Sequence, residues 1–239
     1  MDAKEFAAAY AEAFGPAAQL PLLFWYSEEP VRAVPKVEGC FFKALAEAGQ
    51  GLPVSLNAGN IGCGGGKFYT GFTPMPPFVP TFVSQKEHYK QTPEMVLEFI
   101  DRLGIPEASG AWLNFARIDT DAGIEAFGRA EGALFFATPD VLSGLVSWAS
   151  YDNNADDAVR APFGSGCSAV VTQAVVENRR GGRSVFLGLF DPSVRPWVGE
   201  SVLSLVVPMS RMREMCGTMR ASCLFGTYAW NKVRDRINK

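Results

Sequence analysis

The sequence contains one histidine in 239 residues. That scarcity excludes zinc and iron sites built on several histidines. Any Ser–His–Asp or Cys–His arrangement would have to use His88. His88 lies in the polar stretch Gln85-Lys86-Glu87-His88-Tyr89-Lys90, so a solvated side chain is expected. No apolar run reaches the roughly 20 residues that span a bilayer. Met1 to Phe14 lacks the basic start and continuous apolar core of a signal peptide. Phe6, Tyr10 and Phe14 instead mark one face of a short amphipathic helix. Charge of one sign is also missing: 22 Lys and Arg stand against 25 Asp and Glu. Nothing in that balance invites nucleic acid or an anionic membrane. The cations that gather after Pro208 are placed to complement the C-terminal ends of helices.

Several motifs are incomplete. Asp152, Asn154 and Asp156 alternate like the start of a calcium loop, but Asp157 stands where glycine is needed and Phe163 where glutamate is needed, so a solvated turn is expected there. Gly59 to Lys67 has Ile61 where a phosphate loop needs glycine, and Phe68 follows the lysine where Ser or Thr belongs. There is no close C-x-x-C pair of the kind that makes a zinc or cluster assignment strong.

What is present is an apolar content of 48% with 20% charged residues, enough to build a core without staples. No low-complexity linker divides the chain, so residues 1–239 are expected to form one domain. Leu20 to Tyr26, Leu52 to Leu56, Ala111 to Ile118, Ala133 to Ala137, Ser184 to Phe190 and Val202 to Val207 read as strands. Helices are expected at Gly39 to Ala48, near Cys167 to Val176, from Ser210 to Cys216 and from Met219 to Ile237. Two more begin with a threonine cap, a proline and an acid, at Thr92-Pro93-Glu94 and Thr138-Pro139-Asp140. Gly59 to Lys67 reads as a loop. The proline- and phenylalanine-rich Phe68 to Val83 reads as an extended surface segment that covers something apolar. These elements predict an α+β fold in which helices pack against a mixed sheet, with a doubly wound parallel sheet as the alternative.

Of five cysteines, Cys40, Cys63 and Cys167 each follow a glycine. Glycine permits unusual backbone angles and close approach of a ligand. Cys40 and Cys167 fall where a helix begins, and there the dipole favours thiolate over thiol. Thiolates bind soft metals, iron–sulfur clusters and electrophiles. Cys40, Cys63 and Cys167 are therefore the candidate ligands of a soft metal or an iron–sulfur cluster, in a redox or sensing role. Gly64, Gly65, Lys67, Gly166 and Arg195 are candidate backbone and side-chain donors around the same cofactor. An odd cysteine count without a secretion signal points to a reducing, cytoplasmic compartment and free thiols.

Blander readings stand beside this one. Free cysteine is a common core filler, and Cys216 and Cys223 fit that role. Met209, Met212, Met215 and Met219 recur at helical spacing and suit a packing face better than copper(I). The glycine loops with Arg195 would equally serve a non-catalytic module for a small anionic ligand. The Pro–Phe segment and methionine stripe would serve an assembly protein, a homo-oligomer.

The chain also resembles the domain of unknown function 169 family of bacteria and archaea. The resemblance lies in Gly39-Cys40 heading a helix, in Cys63 of a glycine-rich loop after a short strand, in Gly164-Ser165-Gly166-Cys167, and in Asp191-Pro192-Ser193-Val194-Arg195-Pro196 with Val207-Pro208 downstream. It implies no activity and no catalytic residues. The family's middle motif runs cysteine, proline, glycine, alanine, whereas Cys63 here precedes three glycines.

Overall fold

In Leu22–Ser27, the first strand (β1), successive side chains serve opposite faces of a sheet. Leu22 and Phe24 belong to one apolar cluster, and Leu23 and Trp25 to another. Gly132–Ala137 (β4) repeats the pattern, with Leu134 on the first side and Ala133 and Phe135 on the second. So does Leu203–Pro208 (β7), with Val206 opposed to Leu205 and Val207. Strands that are apolar on both faces need helices on both faces. The computed structural model, which describes residues 1–239, shows that arrangement.

The remaining strands are Val54–Leu56 (β2), Trp112–Arg117 (β3), Val159–Arg160 (β5) and Val185–Gly188 (β6). The seven-stranded sheet runs β2-β3-β1-β4-β7-β6-β5. All its pairs are antiparallel except β5 with β6. The fold is therefore α+β with a mixed sheet, and the antiparallel centre excludes the doubly wound alternative.

One face is covered by Ala3–Phe14 (α1), Asp121–Ala126 (α6), Pro139–Ala149 (α7), Met209–Thr218 (α9) and Tyr228–Ile237 (α10). Their ordering groups are large aromatics. Trp148 is fully buried, stacks near Phe6 and donates its indole N–H to the Met215 carbonyl at 3.0 Å. Trp230 donates to the Ala13 carbonyl at 2.8 Å. The methionine stripe is core on this face. The other face carries Phe42–Gly49 (α2), Gly64–Tyr69 (α3), Val79–Thr81 (α4), Pro93–Leu103 (α5) and Gln173–Arg179 (α8), the last running on from a π-helical stretch, Ser168–Thr172.

Local chemistry decides several boundaries. Thr92 caps α5 by accepting the Met95 amide at 3.3 Å, and Gly104 closes it in the left-handed conformation. Thr138 has the extended backbone of a cap, but its side chain makes no capping bond.

Four expectations need correction. Gly59 to Lys67 is not wholly loop, because Gly64–Tyr69 is helical and Cys63 caps it. Phe68 to Val83 is not extended; after Tyr69 it turns and coils into α4 and a further π-helical stretch, Phe82–Lys86. The C-terminal helix is interrupted: a short 3₁₀ turn, Met219–Ala221, gives way to extended Ser222, and α10 begins only after Thr227. Asp152 is not simply a solvated turn residue, since it pairs with the buried Arg211. The α6 helix was not anticipated, although Thr120 marks its start by accepting the Gly123 amide at 3.2 Å.

Candidate functional site

Cys40, Cys63 and Cys167 are distant in sequence, and three sets of contacts bring their segments together. First, the chain before Cys40 lies along β2. The Val31 and Arg32 amides donate to the Ser55 hydroxyl, each at 3.0 Å. Asn60 then links the Cys40 and Cys63 segments. Its side chain donates to the Val34 and Ser55 carbonyls, and its carbonyl accepts the Val37 amide at 2.8 Å. A Cβ at Gly62 would fall 2.2 Å from the Val37 carbonyl oxygen, so this approach requires glycine there. Second, the Thr172 hydroxyl donates to the Tyr69 carbonyl at 2.6 Å and fastens the Cys167 helix to α3. Third, the Gly166 amide donates to the buried Asp191 carboxylate at 3.3 Å and fixes the start of the Cys167 helix.

The outcome is a cluster of three free thiols. The buried Cys167 belongs to the apolar cluster against which Cys40 and Cys63 pack, and its thiol is the strongest single influence on the acidity of both. Cys63 is lowered to about 6, chiefly by the Cys167 hydrogen bond and against the cost of burial, with help from backbone amides that include Gly66 at 3.2 Å. Cys40 is also lowered, first by Cys167 and then by the Phe42 amide, while burial and the neighbouring Cys63 and Asp191 oppose. Cys167 is raised well above the usual thiol range, first by its interactions with Cys40 and Cys63 and then by burial. At neutral pH Cys63 is thus mostly thiolate, held beside the protonated Cys167 and the acidified Cys40. N–H and S–H groups, rather than a helix dipole alone, create that state. As the side chains stand, no group of three or more His, Cys, Asp or Glu has metal-holding geometry.

The other residues expected at the site are distributed unevenly. Gly64 and Gly65 lie beside Cys63 and line a cavity of about 340 Å³. The cavity's buried end includes Tyr69, Ser165 and Asp191, and its outer end is formed by Phe78, Phe82 and Phe163. The Pro–Phe segment therefore supplies part of its wall. Gly166 uses its amide on Asp191, and Lys67 lies off the cavity, half-buried in the last turn of α3. Arg195 does not pair with Asp191. Its terminal nitrogens donate to the carbonyls of Leu189, Val202, Gly199 and Glu200, which brace the turn before β7. The Gly166 amide and the Arg195 guanidinium, proposed as donors for a small anion, are thus already engaged. Tyr89, Lys90 and Phe99 also line the cavity. The sequence marked them only as part of a polar stretch and an apolar helix face. His88 is exposed and lies off the cavity.

The family of uncharacterised ArCR proteins, domain of unknown function 169, matches residues 22–218, a span that contains all three clustered cysteines. The chain belongs to this family. No curated protein and no solved structure matches the chain. No helix is long and apolar enough to cross a membrane.

Proposed function

We propose that this family member binds a soft metal ion or iron–sulfur cluster through Cys40, Cys63 and Cys167, in a reducing, cytoplasmic setting that keeps the thiols free. The observation that carries the reading is that three cysteines from separate segments pack together and set one another's acidity. Aliphatic filler would serve the core without desolvating an anionic sulfur, as the Cys63 thiolate is, and such burial is costly unless the charge is used. The Cys63 thiolate provides a soft, anionic donor, and the acidified Cys40 loses its proton to become a second. Cys167 would join them as third donor after losing its proton and swinging out of its present hydrogen bonds. Binding therefore releases a proton and weakens as pH falls. The adjoining cavity leaves room for a further ligand on the bound metal, which suits redox chemistry or sensing.

The test is anaerobic purification followed by metal and acid-labile sulfide analysis, with cobalt(II) titration of the metal-free protein. The expected result is a thiolate-to-cobalt charge-transfer band at one ion per chain, lost in Cys63→Ser and Cys167→Ser while both variants remain folded by circular dichroism. Absence of uptake, or uptake unchanged in both variants, overturns the reading. A Cys63–Cys167 disulfide formed under mild oxidation without metal uptake would make the cluster a dithiol switch instead.

A further inference from the structure

The cavity beside the thiols continues into a groove of different character. The groove, about 380 Å³, shares Lys90, Phe99 and Phe163 with the cavity and adds Arg102, Arg160 and Arg180. Its only carboxylate is Glu177, which is buried and already accepts the Ser184 amide at 2.9 Å besides pairing with Arg180. Arg102 has only a loose pairing with Glu98 at 3.8 Å, between two exposed side chains. Lys90 and Arg160 sit over aromatic rings rather than carboxylates. The Lys90 ammonium lies 5.3 Å from the Phe99 ring centre and 5.9 Å from that of Phe163, and Arg160 lies 5.4 Å from that of Phe186. Four cations thus face one spent carboxylate, in a chain whose net charge is −3. The cavity is chiefly aromatic, walled by Tyr69, Phe78, Phe82, Tyr89, Phe99 and Phe163, and its carboxylates, Glu87 and Asp191, turn an anion away towards the groove. Phe78, Phe82 and Phe163 remain 61%, 45% and 40% exposed, an apolar rim that costs free energy unless something covers it.

We propose that cavity and groove form one binding site for a small molecule with a planar apolar group and an anionic chain ending in carboxylate or phosphate. The planar group stacks among the cavity aromatics and reaches Gly64 and Gly65. The chain passes Lys90, where the two spaces meet, and its anion lies between Arg102 and Arg160. Arginine suits that end because its planar fork matches both oxyanions. This inference goes beyond the thiol reading and does not depend on it, since no cysteine supplies a contact.

The experiment is fluorescence titration of the full chain with 1-pyrenebutyrate, and with the uncharged 1-pyrenebutanol as its control. The expected result is saturable binding of the acid at one per chain, about tenfold tighter than the alcohol at low salt and weakening as salt rises. Phe163→Ala, at a part-exposed position the fold tolerates, weakens both probes. Arg102→Gln with Arg160→Gln removes only the preference for the acid. Cys63→Ser leaves both affinities unchanged, so loss of the thiol reading would not remove this one. Absence of saturable binding, or binding that neither set of substitutions changes, overturns the proposal.

Discussion

The two faces of the sheet treat the same side chain in opposite ways. On the face covered by α1, α7, α9 and α10, Cys216 packs beside methionine and tryptophan and is raised to about 11 by burial. On the other face Cys63 is lowered to about 6, although it too loses solvent. The difference is whether hydrogen-bond donors accompany the sulfur. Around Cys216 burial acts without them, and the thiol is the stable form. Around Cys63, amides and the Cys167 thiol outweigh the same desolvation. One face is thus built for stability, and the other spends stability on holding a thiolate and an open cavity.

Removing the ordering aromatic of the stable face should have the largest effect. Trp148→Ala deletes a fully buried ring and its bond to Met215, and should cost about 3–5 kcal/mol in urea denaturation. The variant, below its transition, should keep the wild-type alkylation profile of Cys63. A changed profile would mean that the faces are coupled.

The next contrast is chemical. At pH 7 the thiolate fractions of Cys63 and Cys216 differ by about four orders of magnitude on the values above, while the lower nucleophilicity of the more acidic thiol returns about two. Cys63 should therefore react with iodoacetamide about a hundredfold faster, as followed by peptide mass spectrometry. Equal rates would erase the distinction.

Cys167→Ala removes the donor that contributes most to the Cys63 thiolate. The alkylation midpoint of Cys63 should rise from about 6 by roughly one to two pH units. The sign for stability follows. Cys63 titrates lower in the folded chain than in the unfolded one. Its contribution is therefore full above the ordinary thiol range and is lost as pH falls through about 6. The raised Cys167 opposes it at high pH, where the folded chain resists losing that proton. In Cys167→Ala the stability slope between pH 6 and the ordinary thiol range should flatten.

The smallest effect separates neighbouring glycines of α3. A Cβ at Gly65 meets nothing within 4 Å, and one at Gly66 would stand 2.8 Å from the Cys63 sulfur. Gly65→Ala should raise stability by up to about 1 kcal/mol through helix propensity. Gly66→Ala should lower it by about 1–3 kcal/mol through overcrowding, and should shift the Cys63 titration as well. Thermal melts of the pair decide this.

Much of the fold was legible because burial follows local periodicity. The strands at Leu22–Ser27, Gly132–Ala137 and Leu203–Pro208 fall within a residue or two of where they are read, and Thr92 with Gly104 bounds α5 through bonds the sequence implies. Legibility failed where long-range contact overrode local preference. Three successive glycines predict a loop, yet Gly64–Tyr69 is helical because Cys63 caps it and Thr172 anchors its end. Arg195 carried a charge the sequence offered to a ligand, but the fold turned it onto carbonyls. Lys90 lay unnoticed in a polar stretch until its ring partners from α5 and Phe163 arrived.

By itself, the sequence determined the supply of donors: one histidine, five thiols, and glycines before three of those thiols. It also determined which strands needed cover on both faces, since side-chain alternation is a property of the backbone. Only the tertiary structure decided which thiols meet and which form each holds. A thiol's acidity is set by the donors and charges within a few ångströms of its sulfur. At Cys63 the largest of those comes from Cys167, far away along the chain and adjacent only after folding, while the Gly66 amide three residues on adds to it.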